Sequence, residues 1–267
     1  MSYYIGKVTT ESFEMEYLRF GEGDDILVIL PGLSIQSVLS SASAIVKQYE
    51  IFSKKYTVYL FDRRNNLPET YSINEMAIDT VEVIKALALK DICLFGVSQG
   101  GMIAMVIAIQ YPILVKKLVL GSTACKIQTT QNDTIEEWIR LAKEKRPEDL
   151  YLSFGKRIYP KELFEKYRRA LILLAKQVDS HDLKRFIVLA EGIRQFDVSD
   201  RLGEIACPTL LLSDTDDQVL HKNCADEIAK QFKEKNNFKH VVYNGFGHAA
   251  YDVAPDYTNR IYDFLIE

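Results

Sequence analysis

Histidine is scarce in this chain: its 267 residues include only His181, His221, His240 and His248. Any chemistry that needs an imidazole therefore has a short list of candidates. Cysteine is equally sparse, and Cys93, Cys125, Cys207 and Cys224 are widely spaced with no close pair. A zinc framework or a disulfide scaffold needs clustered or paired thiols, so these four read as reduced packing residues. No charge sign dominates either, since 33 Lys and Arg face 37 Asp and Glu for a formal net of -4. Without a global positive field, no nucleic-acid partner is expected. The N-terminus lacks a basic start and an apolar signal core, and no run approaches the roughly 18 to 20 apolar residues of a membrane span. A cytoplasmic protein with no membrane insertion is the expectation.

An alternation of short apolar runs and helical periodicity is what remains. The first 20 residues alternate weakly around a turn at Thr9 to Ser12, which predicts an antiparallel ribbon at a sheet edge. Runs rich in branched or aromatic residues follow at Ile26 to Leu30, Val58 to Phe61, Ile92 to Val97, Leu118 to Leu120, Thr209 to Leu212 and Val241 to Tyr243. Such runs predict strands covered on both faces. Ser72 and Glu75 form a candidate capping box ahead of Met76, Ile78, Val81, Ile84 and Leu87, so a helix should pack on the sheet there. Between Gln99 and Tyr111 the residues are small or apolar all round, which predicts a central buried helix stopped by Pro112.

The alternation breaks between about Cys125 and Gly203. Thr134 and Glu137 can cap a helix carrying Trp138, Ile139 and Leu141, and Pro160 can open another through Leu163, Tyr167, Leu171, Leu174 and Val178. A third periodic segment runs from Leu183 to Ile193. The expected architecture is α/β: a mostly parallel sheet flanked by helices, with a helical cap at 126–203 inserted between core segments 1–125 and 204–267.

Phe95-Gly96-Val97-Ser98-Gln99-Gly100-Gly101 follows an apolar run and opens the buried helix, the setting of a G-x-S-x-G nucleophile elbow. Gly96 and Gly100 allow strand and helix to crowd around Ser98, and the Gln99 amide at the helix start would face a developing oxyanion. The competing reading is a plain turn whose serine caps the helix. A serine hydroxyl needs an imidazole to take its proton and an acid to orient that imidazole. His248 sits in the glycine-rich Tyr243-Asn244-Gly245-Phe246-Gly247-His248-Ala249 after the last strand, where it can cross the carboxyl edge of the sheet. The other three histidines read as surface or capping residues. The run Ser213-Asp214-Thr215-Asp216-Asp217-Gln218-Val219 follows a strand and makes Asp217 the expected acid, with Asp216 in reserve if the loop is shifted by one. These carboxylates also suggest a divalent cation, but their spacing fails the EF-hand pattern and no other donor clusters with them, so no metal is expected.

With Ser98, Asp217 and His248 in that order, Leu30-Pro31-Gly32-Leu33 early and Asp62-Arg63-Arg64-Asn65 beyond it, nearly the whole chain resembles the α/β-hydrolase fold family, specifically its capped serine hydrolases. The resemblance implies that Ser98 is the nucleophile, His248 the general base and later acid, Asp217 the orienting acid, and the backbone amides of Leu33 and Gln99 the oxyanion hole, with no cofactor. Three positions depart from the family's pattern. Pro31 replaces a histidine before the oxyanion-loop glycine, and Asn65 replaces the glycine of the D-x-R-G turn. Asp214 stands where a glycine often precedes the acid loop. Asn and Asp tolerate the left-handed conformation such turns can require. A serine rather than an aspartate at position 98 argues against the haloalkane dehalogenase and epoxide hydrolase branches.

The expected reaction is hydrolysis of a small or medium carboxylic ester through an acyl-enzyme. The same apparatus would serve a thioesterase, a C-C bond hydrolase or a cofactor-free lyase, and a non-catalytic ligand receptor of this fold is a further alternative. Trp138, Tyr151 and Phe154 are the cap aromatics expected to wall a substrate pocket, although such residues chiefly fill cores. Arg63, Arg64 and Arg157 are candidates to meet an anionic substrate. The expected partner is a small-molecule ester or thioester, and the sequence leaves monomer and homodimer open.

Overall fold

The computed structural model describes residues 1–267. Eight strands build one sheet: β1 (Tyr3–Thr9), β2 (Glu14–Phe20), β3 (Asp25–Leu30), β4 (Tyr56–Arg64), β5 (Ile92–Val97), β6 (Val115–Gly121), β7 (Thr209–Asp214) and β8 (Phe238–Tyr243). Their spatial order is β1-β2-β4-β3-β5-β6-β7-β8. The N-terminal ribbon is antiparallel and joins β4 antiparallel, while every other neighbouring pair is parallel. After β3 the chain moves to β4 on one side, then returns to β5 on the other. The carboxyl ends of β3 and β5 therefore flank a topological switch point, where open α/β sheets offer a ligand crevice.

Ten helices accompany the sheet: α1 (Ala42–Gln48), α2 (Ile73–Ala86), α3 (Gln99–Gln110), α4 (Thr129–Lys143), α5 (Pro147–Ile158), α6 (Lys161–Ala175), α7 (Ser180–Glu191), α8 (His221–Phe232), α9 (Ala250–Val253) and α10 (Tyr257–Ile266). Alternate strand residues face opposite layers, as the two-residue period requires. Ile92 and Leu94 of β5 join the core under α2, α3 and α8, whereas Cys93, Phe95 and Val97 join the one under α1 and α10. The Ser72 capping box forms, with the Ser72 N–H donating to Glu75 at 2.7 Å and the Glu75 N–H to Ser72 Oγ at 3.3 Å. Having no polar face, α3 is buried from Gln99 through Ile109.

Helices α4 to α7 fill the chain between β6 and β7 as the helical cap. Its neck is closed by backbone pairing, Val198 N–H to Cys125 O at 2.8 Å and Ile127 N–H to Phe196 O at 3.0 Å. Two cap boundaries differ from expectation. The first cap helix begins at Thr129, one turn before Thr134, because Gln131 Oε1 accepts the Gln128 N–H and its Nε2 donates to Leu220 O across the structure. The third, α6, stops at Ala175 rather than reaching Val178, since Asp179 accepts the amides of His181 and Asp182 and starts α7. Helix α5 is one that the periodicity did not single out, although Pro147 and the acidic Glu148 and Asp149 in its first turn are start signals. No helix is long and apolar enough to cross a membrane.

Candidate active site

Ser98 leaves β5 with φ 52° and ψ -119°, a left-handed turn that costs a non-glycine residue about 1–3 kcal/mol. Its neighbours leave it little alternative. A Cβ on Gly96 would sit 2.3 Å from Gly100 O, and one on Gly100 would sit 2.0 Å from Leu30 O, so only glycine lets β3, β5 and α3 meet this closely. The Ser98 carbonyl accepts from the amides of Gly101 and Met102 and from Thr123 Oγ1, and its N–H donates to Gly121 O. Its side chain makes no capping bond to α3, so the serine is not there to cap the helix.

The loop after β3 lies against this turn, where a Cβ on Gly32 would be 3.2 Å from Ser98 Cβ. Leu33 follows outside any regular element. At the same carboxyl edge, Asp217 and His248 arrive on the loops after β7 and β8, both buried, with His248 Nδ1 2.8 Å from Asp217 Oδ2. Asp217 Oδ1 accepts the amides of Val219 and Leu220. Burial pushes this carboxyl's pKa up, but the His248 charge and hydrogen bond together with the two amides outweigh it, and the net shift is downward. Asp216 is exposed and accepts the Gly245 N–H instead, while Asp214 accepts the amides of Asp216 and Phe246. The acidic run is thus a hydrogen-bonded loop that presents Asp217 to the imidazole. Neither Asn65 nor Asp214 is left-handed, because β4 runs on through Arg64 and β7 through Asp214. The other histidines lie elsewhere: His181 and His221 are exposed at the starts of α7 and α8, and His240 bonds Ser213 within the sheet.

A cavity of about 340 Å³ opens between the loop at Gly32 and Leu33 and the cap. Tyr151, Phe154 and Ile158 of α5, Leu171 and Leu174 of α6, and Tyr251 line it. Ser98, Asp217 and His248 do not line it themselves; the nearest link is Gly32, which lines the cavity and backs onto Ser98. Trp138 is not on the wall. It lies behind Phe154 at a ring separation of 4.5 Å, buried, with its indole N–H donating to Ser153 Oγ.

The model of a family described as serine aminopeptidase, S33, matches residues 56–252. The chain belongs to this family of α/β hydrolases. Among similar proteins, the putative carbamate hydrolase RutD of Agrobacterium fabrum is 25% identical over 88% of this chain and 93% of its own length. Serine hydrolase BPHL of Homo sapiens is 26% identical over 97% of this chain and 85% of its own. The fold is shared with MGS-M2, an α/β hydrolase from a Medee basin deep-sea metagenome library, at a TM-score of 0.87 and 23% identity over 98% of each chain.

None of the three candidate arginines of this α/β hydrolase lines the cavity. Arg64 lies over the Phe13 ring and pairs with Asp79, and Arg157 faces Glu137 at 3.8 Å. Arg63 is buried behind the elbow, its Nη2 donating to Pro31 O at 2.8 Å and to Gln99 Oε1 at 3.1 Å. Sequence reasoning passed over a second set of contacts that joins the cap to the loop after β3. Arg185 of α7 donates to Asp62, which also accepts from Ser37 Oγ at 2.6 Å. Gln36 donates to Asp182 and accepts from the Tyr151 hydroxyl at 3.0 Å. Asp62 lies in the Asp62-Arg63-Arg64-Asn65 turn that the sequence singled out, but a pairing 123 residues apart has no local signature.

Proposed function

We propose that this chain is a serine hydrolase that cleaves a small or medium carboxylic ester through an acyl-enzyme. His248 takes the Ser98 proton, Ser98 attacks the acyl carbon, and the amides of Leu33 and Gln99 receive the oxyanion. Collapse of the tetrahedral intermediate expels the alcohol, protonated by His248, which then activates water to release the acid. One observation carries the reading: a serine held in a left-handed turn with no capping duty shares a sheet edge with a histidine whose Nδ1 is already bonded to a buried carboxylate. With its Nδ1–H directed at Asp217, the neutral imidazole keeps Nε2 as a proton acceptor. Ser98 Oγ has no hydrogen-bond partner within the protein, and such a contact often tightens only with substrate in place. The cavity favours a modest apolar acyl group, since about 340 Å³ falls near the lower end of the ~300–1,000 Å³ typical of ligand pockets.

The test is covalent. A fluorophosphonate should label Ser98, with labelling lost in Ser98→Ala and greatly weakened in His248→Ala, and Ser98→Ala should lower kcat/KM by at least about 10⁴-fold. Undiminished labelling of Ser98→Ala sinks the assignment. Matched oxygen esters, thioesters, carbamates and amides then identify the bond, the carbamate being included because of the relative named for that activity. No turnover across that panel would favour a ligand receptor.

A further inference from the structure

We infer that Arg63 is a positioning residue of the oxyanion hole, holding the loop that bears Leu33 and the turn that bears Gln99 in fixed relation; the inference rests on the serine-hydrolase reading above. The two amides come from separate places, one after β3 and one after β5. No backbone ladder sets their spacing, because both lie beyond the last residue of their strand. Arg63 Nη2 reaches both pieces at once, donating to the carbonyl of Pro31, two residues before Leu33, and to the side chain of Gln99 itself. Gln99 is then fixed from its other end, where Nε2 donates to Leu189 O of α7 at 2.8 Å. Bonds from a charged guanidinium are strong and directional, which suits a part that must hold amides to a fraction of an ångström.

The cost of placing this group here argues against simple packing. Arg63 is 4% exposed, and burial pushes its guanidinium down to about 10, still charged near neutral pH. Asp62 adjoins it, but that carboxylate is engaged by Arg185, by Ser37 and by the Arg63 backbone N–H. Two buried guanidiniums therefore share one carboxylate, and Arg63 Nε and Arg185 Nη1 have no protein partner. A purely structural link between two loops would be cheaper with neutral groups, since a buried charge gives up its hydration. A surplus positive charge beside amides that receive an oxyanion is electrostatically favourable when the negative charge develops.

Three variants, Arg63→Lys, Arg63→Met and Gln99→Met, test this by steady-state kinetics alongside inhibition by a trifluoromethyl ketone, whose adduct with Ser98 places an anionic oxygen in the hole. Arg63→Lys keeps the charge but is shorter and lacks the planar group that places Nη2 against both partners. It should lower kcat by about 10- to 100-fold with KM within about twofold, because misplacement rather than lost ground-state binding is the defect. Arg63→Met should lose more, and Gln99→Met less, with the same split. Trifluoromethyl ketone affinity should weaken in proportion to kcat, while affinity for a non-hydrolysable ether analogue stays unchanged. A folded Arg63→Lys enzyme with kcat within twofold of the parent, or with the loss entirely in KM, overturns the inference. Should the Arg63 variants fail to fold, Gln99→Met decides, since it severs the link and leaves both amides. Ser98→Ala separates the two levels: activity surviving there defeats the serine reading, whereas a dead Ser98→Ala with normal Arg63→Lys defeats only the positioning role.

Discussion

Helices α3 and α6 are similar in length and both carry long apolar stretches, yet their surroundings are opposite. Every residue of α3 from Gln99 to Ile109 is buried, whereas Ala175 alone is fully buried in α6. The first packs against β3, β5, β6 and α2 and carries the Ser98 turn at its start. The second lies over α5 and gives Leu171 and Leu174 to the cavity wall. The turn that bears the proposed nucleophile is thus on the most constrained element, and the wall proposed to meet an acyl group is on a less constrained one. Local stability follows the number of buried apolar neighbours, so the two regions should respond very differently to substitution.

The largest effect should come from closing the space at the elbow. A Gly100→Ala methyl would meet Leu30 O at 2.0 Å and Pro31 O at 2.6 Å, both backbone atoms of a central strand and the loop after it. Neither can swing aside as a side chain would, so chemical denaturation should register a loss of more than about 3 kcal/mol, the upper range for overpacking. A loss below 1 kcal/mol would mean that the elbow has slack and that the contrast with α6 is overstated.

Within the cap, Trp138 and Phe154 divide stability from specificity. Trp138→Ala removes a buried indole and should cost about 3 kcal/mol while leaving the acyl-length profile unchanged, because its ring does not reach the cavity. Phe154→Ala should cost less and shift preference toward longer acyl chains, since it enlarges the wall itself. Activity profiles across a series of 4-nitrophenyl esters, paired with thermal melts, make the comparison. Identical profile changes in the two variants would show that the cavity responds to the cap as a whole.

The difference between these regions also explains what could be read from the chain. The inner strands are buried on both faces, so Ile92 to Val97 is apolar without interruption and declares itself. The elbow is legible for a related reason: only glycine fits at positions 96 and 100, and the requirement is written into consecutive residues. The start of α4 and the attachment of the cap to the sheet rest on contacts between distant segments. Gln131 reaches Leu220 to extend α4, and Gln36 and Asp62 meet Asp182 and Arg185, none of which has a local pattern. The left-handed conformation that Asn65 and Asp214 could have tolerated is not used: the Asn65 N–H extends the pairing with β2 by donating to Glu14 O, and Asp214 lies opposite Tyr243 within β7. Short-range turn preference yields where a ladder continues.

The smallest effect should be on the outer face of α6, and it bears on assembly. Leu173, which does not line the cavity, is 59% exposed. In a monomer, Leu173→Ser trades exposed apolar surface for a hydroxyl in water and should change stability by no more than about 0.5 kcal/mol. Sedimentation and melting measured together, across a tenfold range of concentration, would reveal any other role. A melting temperature that rises with concentration in the parent protein and loses that dependence in Leu173→Ser would mean that this face is covered by a second copy, since association stabilises by mass action. The half-buried state of α6 would then belong to the isolated chain only, and its contrast with α3 would narrow to the residues facing the cavity.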